Sequence, residues 1–83
     1  MTAILLFPSI HQVLRAERVL QQAGVPGSVV PIPRDLATDC GMAWSMPPQG
    51  LPEALRTLSG VGLTPGEAWT YEVDGWEKVE LDT

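Results

Sequence analysis

The apolar and polar positions of this 83-residue chain predict two helices and five strands. Residues 3–7 are apolar at every position, which is typical of a central strand buried on both faces. Residues 28–33, 41–46 and 69–73 favour further strands, and residues 76–81 form a weaker fifth one after the turn signal Asp74-Gly75. In the third strand Met42, Trp44 and Met46 alternate with small residues, so we expect these large side chains to face the helices.

Two stretches between the strands have helical spacing. The first helix begins after Ser9, whose hydroxyl is placed to cap it, with Gln12 three residues on as in a capping box. Its apolar stripe continues until Gly24 ends it. The second helix is short, starts at Pro52 and is closed by Gly60 and Gly62.

The resulting order is βαββαβ followed by one more strand. This order is the α+β, ferredoxin-like two-layer sandwich, with an antiparallel or mixed sheet, both helices on one face and an extra C-terminal hairpin strand. That topology places the second strand at an edge. Pro31 and Pro33 independently require an edge, because neither has an N–H to donate and alternate residues point the same way, while Val30 and Ile32 bond inward. A different sheet order would have to place both prolines at an edge by other means.

Length and charge limit the classes of function. Eighty-three residues form a single domain, 1–83, whose residues 74–83 are an acidic hairpin strand and tail. The net charge of −5 comes from residues 67–83, and no basic patch exists, which argues against nucleic-acid binding. Met1 leads directly into a short apolar run with no basic segment before it, which predicts a cytoplasmic protein without a signal peptide or membrane span.

The candidate chemistry centres on Cys40, the only cysteine of the chain, so no disulfide can form within it. With His11 as the only histidine, we predict no metal site and no cofactor. If strands one and two run parallel, Ser9 and His11 approach the same end of the sheet as Arg34 and Cys40. The helix start, Arg34 and a protonated His11 favour an anionic sulfur there, and Asp39 opposes it.

Simpler interpretations of the same residues stay open. Cys40 can be a buried residue without chemistry, although a polar turn favours the surface. Gly41 either supplies a positive φ or lets a partner approach the sulfur. Arg34 can pair with Asp35, Asp39 or Glu17 instead of holding a ligand. The aromatic residues Trp69, Tyr71 and Trp76 are expected to form a hairpin cluster.

Several motifs together resemble one small family. They are Phe7-Pro8-Ser9 with His11, Arg15-Ala16-Glu17, Pro31-Ile32-Pro33-Arg34 and Cys40-Gly41. They are similar to the DUF3343 family, whose members are described as putative selenium/sulfur carrier-like proteins, over about residues 3–73. The resemblance implies that Cys40 is the carrier residue, with Arg34 and Gly41 as companions. Asp39 departs from the small hydroxyl residues common before this cysteine.

The leading hypothesis is therefore a sulfur or selenium carrier. Cys40 would accept sulfane sulfur or selenium as a persulfide-type adduct from a protein donor, such as a cysteine desulfurase, and pass it to a protein acceptor. Such a protein is a carrier or accessory protein rather than a turnover enzyme. One alternative is a small interaction or regulatory subunit that binds through the acidic, aromatic hairpin. Another is a redox-sensing thiol in a homodimer.

Overall fold

The computed structural model describes residues 1–36 and 41–81. Within these residues the chain folds into two α-helices and one five-stranded antiparallel sheet, which is compatible with a ferredoxin-like fold. In chain order the elements are β1 (Thr2–Leu6), α1 (Ile10–Gln22), β2 (Ser28–Pro31), β3 (Met42–Met46), α2 (Leu51–Gly60), β4 (Glu67–Glu72) and β5 (Gly75–Val79), with short 3-10 turns at Arg34–Leu36 and Pro48–Gly50.

The strand order is β2-β3-β1-β4-β5, with every neighbouring pair antiparallel. The predicted central position of β1 is confirmed, because it pairs with β3 on one side and β4 on the other. The predicted edge position of β2 is confirmed too. Strand β2 is shorter than expected and ends at Pro31, because Pro33 instead starts a tight turn in which its carbonyl accepts a hydrogen bond of 2.9 Å from the Leu36 N–H.

The larger core cluster joins the sheet to both helices. Strand β1 contributes Ala3 and Leu5, and β3 contributes Trp44 and Met46, with Met42 packed against them as predicted. The helices contribute the buried residues Val13, Ala16, Leu20, Leu51, Ala54 and Leu58. Because alternate strand residues share a face, Ala3 and Leu5 point to the same face of the sheet. The buried side chains of both helices belong to the same cluster as these two residues.

A second, smaller cluster lies on the opposite face of the sheet. We call the side of β1 that carries Ile4 and Leu6 the second face. These two side chains are only 2% and 3% exposed, although they alternate with Ala3 and Leu5. Their cluster also contains Leu36 and Ala43, and Val30, Ile32, Trp69 and Trp76 pack against it. Cover on both faces explains why the buried residues of β1, 3–6, are all apolar.

Helix α1 begins as the sequence predicts. Ser9 is the N-cap, in extended conformation, and its hydroxyl accepts a hydrogen bond of 3.3 Å from the Gln12 N–H. This bond satisfies one of the amide groups that the first turn of a helix leaves without a partner.

The C-terminal hairpin differs from expectation by one position at its turn. Glu72 pairs with Gly75, so the turn residues are Val73 and Asp74, and Gly75 is the first residue of β5. The predicted aromatic cluster is present: the rings of Tyr71 and Trp76 meet edge to face with centroids 5.0 Å apart. Both rings lie on opposed residues of β4 and β5.

The start of β2 is packed tightly against Trp44. A Cβ atom built on Gly27 would overlap the Trp44 ring and lie 2.6 Å from the Ser45 carbonyl oxygen. Backbone oxygen and a fully buried indole leave no room to move aside.

We expect Gly27→Ala to lower the free energy of unfolding by about 1–3 kcal/mol, because the added methyl group overpacks the core at this contact. Urea denaturation followed by far-UV circular dichroism measures the change. Gly60→Ala is the matched control, since a Cβ there meets nothing within 4 Å. An unchanged midpoint for Gly27→Ala would contradict the packing described.

Candidate functional site

Cys40, the predicted centre of the site, lies outside the described residues, together with Ala37, Thr38 and Asp39. The structure therefore defines the site through the residues on either side. Leu36 is the last described residue before this segment, and Gly41 is the first after it.

Gly41 connects the cysteine segment to the sheet. Its carbonyl accepts a hydrogen bond of 3.1 Å from the Ile32 N–H, which is the inward bond predicted for Ile32. Its φ is +80°, in the region that side chains with a Cβ rarely adopt. A Cβ there would meet no described residue within 4 Å, so the positive φ is the reason that the described structure gives for glycine at this position.

Arg34 stands at the start of the 3-10 turn that leads toward the cysteine, and it is exposed. The alternatives in which it pairs with Asp35 or Glu17 do not hold: within residues 1–36 and 41–81, the one ion pair joins Lys78 to Glu67. The alternative with Asp39 lies outside the described residues. Arg34 is an exposed residue two positions before the buried Leu36. An exposed arginine in this position can act on an anion at the surface.

Ser9 and His11 lie at the start of α1, close after the end of β1. The registers Leu5↔Trp44 and Val29↔Trp44 show that β1 and β2 run in the same direction and at the same level, so both strands end at the same end of the sheet. One strand separates them, which corresponds to about 10 Å. The sequence prediction that these elements share one end of the sheet is thereby supported by the strand pairing.

The described contacts nevertheless do not join these residues into one cluster. Ser9 uses its hydroxyl to cap α1, and His11 is exposed. In the part of the chain that the structure describes, no hydrogen bond or ion pair links either residue to Arg34 or Gly41. They remain predicted site residues at the same end of the sheet.

Sequence reasoning missed one link, between the cysteine segment and the C-terminal hairpin. Leu36 is 7% exposed and belongs to the cluster on the second face, against which Trp69 and Trp76 pack. The indole of Trp69 is itself held in place, since its Nε1 donates a hydrogen bond of 2.8 Å to Glu67 Oε1. Lys78 Nζ lies 3.8 Å from Glu67 Oε2 and 6.0 Å from the centroid of the Trp69 ring. The signal that points to this link is the apolar second face of β1, which needs cover from elsewhere in the chain.

The described residues lack a metal-binding cluster and a membrane-spanning helix. Residues 1–36 and 41–81 contain no group of three or more His, Cys, Asp or Glu side chains arranged to hold a metal ion. Neither described helix is long and apolar enough to cross a membrane.

Comparison with known proteins identifies the family of this chain. Residues 2–70 match the family described as putative Se/S carrier protein-like. The matched range contains Cys40, Arg34, Gly41, Ser9 and His11, and it ends within β4. No curated protein and no solved structure matches the chain.

The geometry of Gly41 predicts an unusual order of substitutions. We expect Gly41→Ala to lower the free energy of unfolding by roughly 1–2 kcal/mol, because alanine is strained at positive φ. Gly41→Asn should cost less, since asparagine tolerates this region better, although its side chain is larger. Thermal or urea unfolding of the three proteins measures the order. Equal stability of Gly41→Ala and the parent protein would show that the backbone does not need glycine here.

Proposed function

Because this chain belongs to the family described as putative Se/S carrier protein-like, we propose that it carries sulfur or selenium on Cys40 as a persulfide-type adduct. The Cys40 thiolate attacks the outer sulfur of a persulfide on a donor protein. A new sulfur–sulfur bond forms at Cys40, the donor's sulfur–sulfur bond breaks, and the donor leaves as a thiolate. The same exchange, with an acceptor thiolate attacking the loaded Cys40, passes the sulfur on.

The observation that carries this proposal is the family match, which spans 69 consecutive residues and includes the only cysteine of the chain. A carrier needs partner proteins on both sides of the transfer. We therefore infer a donor of the cysteine desulfurase kind and a separate protein acceptor, in the cytoplasm.

The residues around the cysteine have separate roles in this proposal. Arg34 and the positive end of α1 stabilise the anionic sulfur, and His11 contributes when protonated. No residue of 1–36 or 43–81 lies within 4 Å of where a Gly41 side chain would stand, and this leaves room on that side for the attacking or leaving cysteine of a partner. Asp39 acts in the opposite direction, because a neighbouring carboxylate disfavours a thiolate.

The hairpin of β4 and β5 adds a surface that a partner protein can contact. Leu36 leads into the cysteine segment from the second face, where Trp69 and Trp76 also pack. A partner protein that approaches the turn Arg34–Leu36 on this face meets the hairpin at the same time. Tyr71, 48% exposed, and Val73, fully exposed, lie on the same hairpin.

These exposed hairpin residues also favour a second candidate function, a small interaction or regulatory subunit. In that case the hairpin binds another protein and Cys40 has no transfer role. The two candidates differ in what happens at the sulfur, so a direct measurement on Cys40 separates them.

The decisive measurement is the intact mass of the protein after incubation with a cysteine desulfurase and cysteine. We expect a mass gain of about one sulfur atom on the wild type, lost on reduction, and no gain on Cys40→Ser. A parallel incubation with a small-molecule persulfide separates a cysteine that cannot be loaded from one that this enzyme does not recognise. Failure of both donors to load the folded wild type would end the carrier proposal and leave the interaction subunit.

Arg34 should affect the rate of loading more than the stability of the fold. We expect Arg34→Ala to slow persulfide formation by about twofold to fivefold, as is typical for removal of one exposed charge, and Arg34→Lys to restore most of the rate. Arg18→Ala is the matched control, because Arg18 is also an exposed arginine but lies further along α1. Equal loading rates for Arg34→Ala and Arg18→Ala would contradict a role for Arg34 beside the sulfur.

A further inference from the structure

The two edges of the sheet differ in their capacity to accept another strand. In β2 the Ile32 N–H bonds inward to Gly41, so the alternation of the ladder directs the Pro31 position outward. Proline has no N–H, and that edge is closed to a further strand. At the other edge, β5 consists of Gly75–Val79 and contains no proline, so all its amide groups are retained.

The hydrogen-bonding groups of β5 that face outward can be identified. The Thr70 hydroxyl donates a hydrogen bond of 3.5 Å to the Glu77 carbonyl oxygen, so Glu77 is directed inward to β4. Alternate residues of an edge strand point the other way, which makes Trp76, Lys78 and then Glu80 the outward residues. The strand pairings give the same assignment. The Ile32–Gly41 bond sets which residues of β3 face β2, and the alternation can then be carried from strand to strand as far as β5.

We propose that a second copy of this chain pairs with β5, antiparallel, to form a two-fold symmetric dimer with one continuous sheet. In such a pair, directly opposed residues share a face of the sheet, so a strand that meets its own copy has only a few registers. Registers centred on Glu77 or Lys78 set like charges against each other. A register centred on Trp76, the second residue of β5, pairs only the few residues of the two strands next to the hairpin turn.

The register centred on Val79 is complementary. It places Lys78 opposite Glu80 of the second copy, and the symmetry repeats this pair, so two opposite-charge pairs form across the interface. The outward backbone groups of Lys78 and Glu80 are then the ones that bond across the interface. The same charges disfavour strands with a different charge pattern, so the edge is selective for its own copy.

An apolar groove beside this edge fits the same occupant. Its volume is about 480 Å³, and it lies between α2 and the end of β5. Its apolar lining includes Leu51, Leu55, Leu63, Val79 and Leu81. In the proposed register Val79 meets Val79 of the second copy at the mouth of the groove, and the two grooves become adjacent.

This assembly also ends growth of the sheet. The outermost strands of the dimer are the two β2 strands, whose edges Pro31 closes. The ends of β2 lie at the opposite edge of the sheet from the interface. The dimer is therefore independent of whether Cys40 carries sulfur.

Sedimentation equilibrium of the full chain, as Cys40→Ser to prevent disulfide-linked species, tests the proposal. We expect a reversible dimer. Glu80→Pro should abolish it without unfolding the chain, because it removes only an outward N–H, as Pro31 does at the other edge. Glu80→Ala, which keeps the N–H and loses the charge, should weaken the dimer only modestly. Circular dichroism and thermal unfolding of each variant verify that the monomer fold is intact.

Charge exchange tests the register. Glu80→Lys should weaken dimerisation by about tenfold, because it sets two lysines against each other twice, and adding Lys78→Glu should restore most of it. Glu53→Lys is the matched control: it makes the same charge change at an exposed site on α2. A wild-type chain that is monomeric at every accessible concentration would overturn the proposal. So would a dimer that Glu80→Pro leaves intact.

Discussion

The burial of β1 on both faces is the constraint on which the rest of this structure depends. A strand with apolar side chains on both sides is stable only when each face is covered, and burial of one such side chain contributes roughly 1.5–3 kcal/mol. One face of β1 packs in the cluster that contains the buried residues of both helices. The other is covered by side chains of the sheet itself and by Leu36. Both helices and all five strands thus contribute side chains to the two clusters in which β1 is buried.

The cover of the second face also involves the chain next to the cysteine segment. Leu36 packs into the cluster on that face, and Gly41 returns the chain to the sheet through its bond with Ile32. The segment between them is therefore attached at both ends to well-packed structure.

The hairpin of β4 and β5 has a double role in this arrangement. Its aromatic side chains cover the second face, and its last residues, Val79 and Leu81, pack against the larger cluster. Because β5 pairs with β4, the edge strand on this side of the sheet is β5, which contains no proline. The residues on either side of the cysteine segment adjoin the β2 edge of the sheet, whereas the proposed dimer forms at the β5 edge.

The sequence by itself determined the element order, the central place of β1, the edge place of β2, the capping of α1 by Ser9 and the orientation of Met42, Trp44 and Met46. These features follow from local patterns, such as apolar residues at every position or prolines at alternate ones, whose physical requirements do not depend on distant residues. The motifs around Arg34, Cys40 and Gly41 likewise indicated the family. Only the tertiary structure decided that Leu36 joins Trp69 and Trp76 in one cluster, and that the free edge of the sheet belongs to β5. Both depend on which residues meet across strands that are distant in sequence, and no local pattern contains that information.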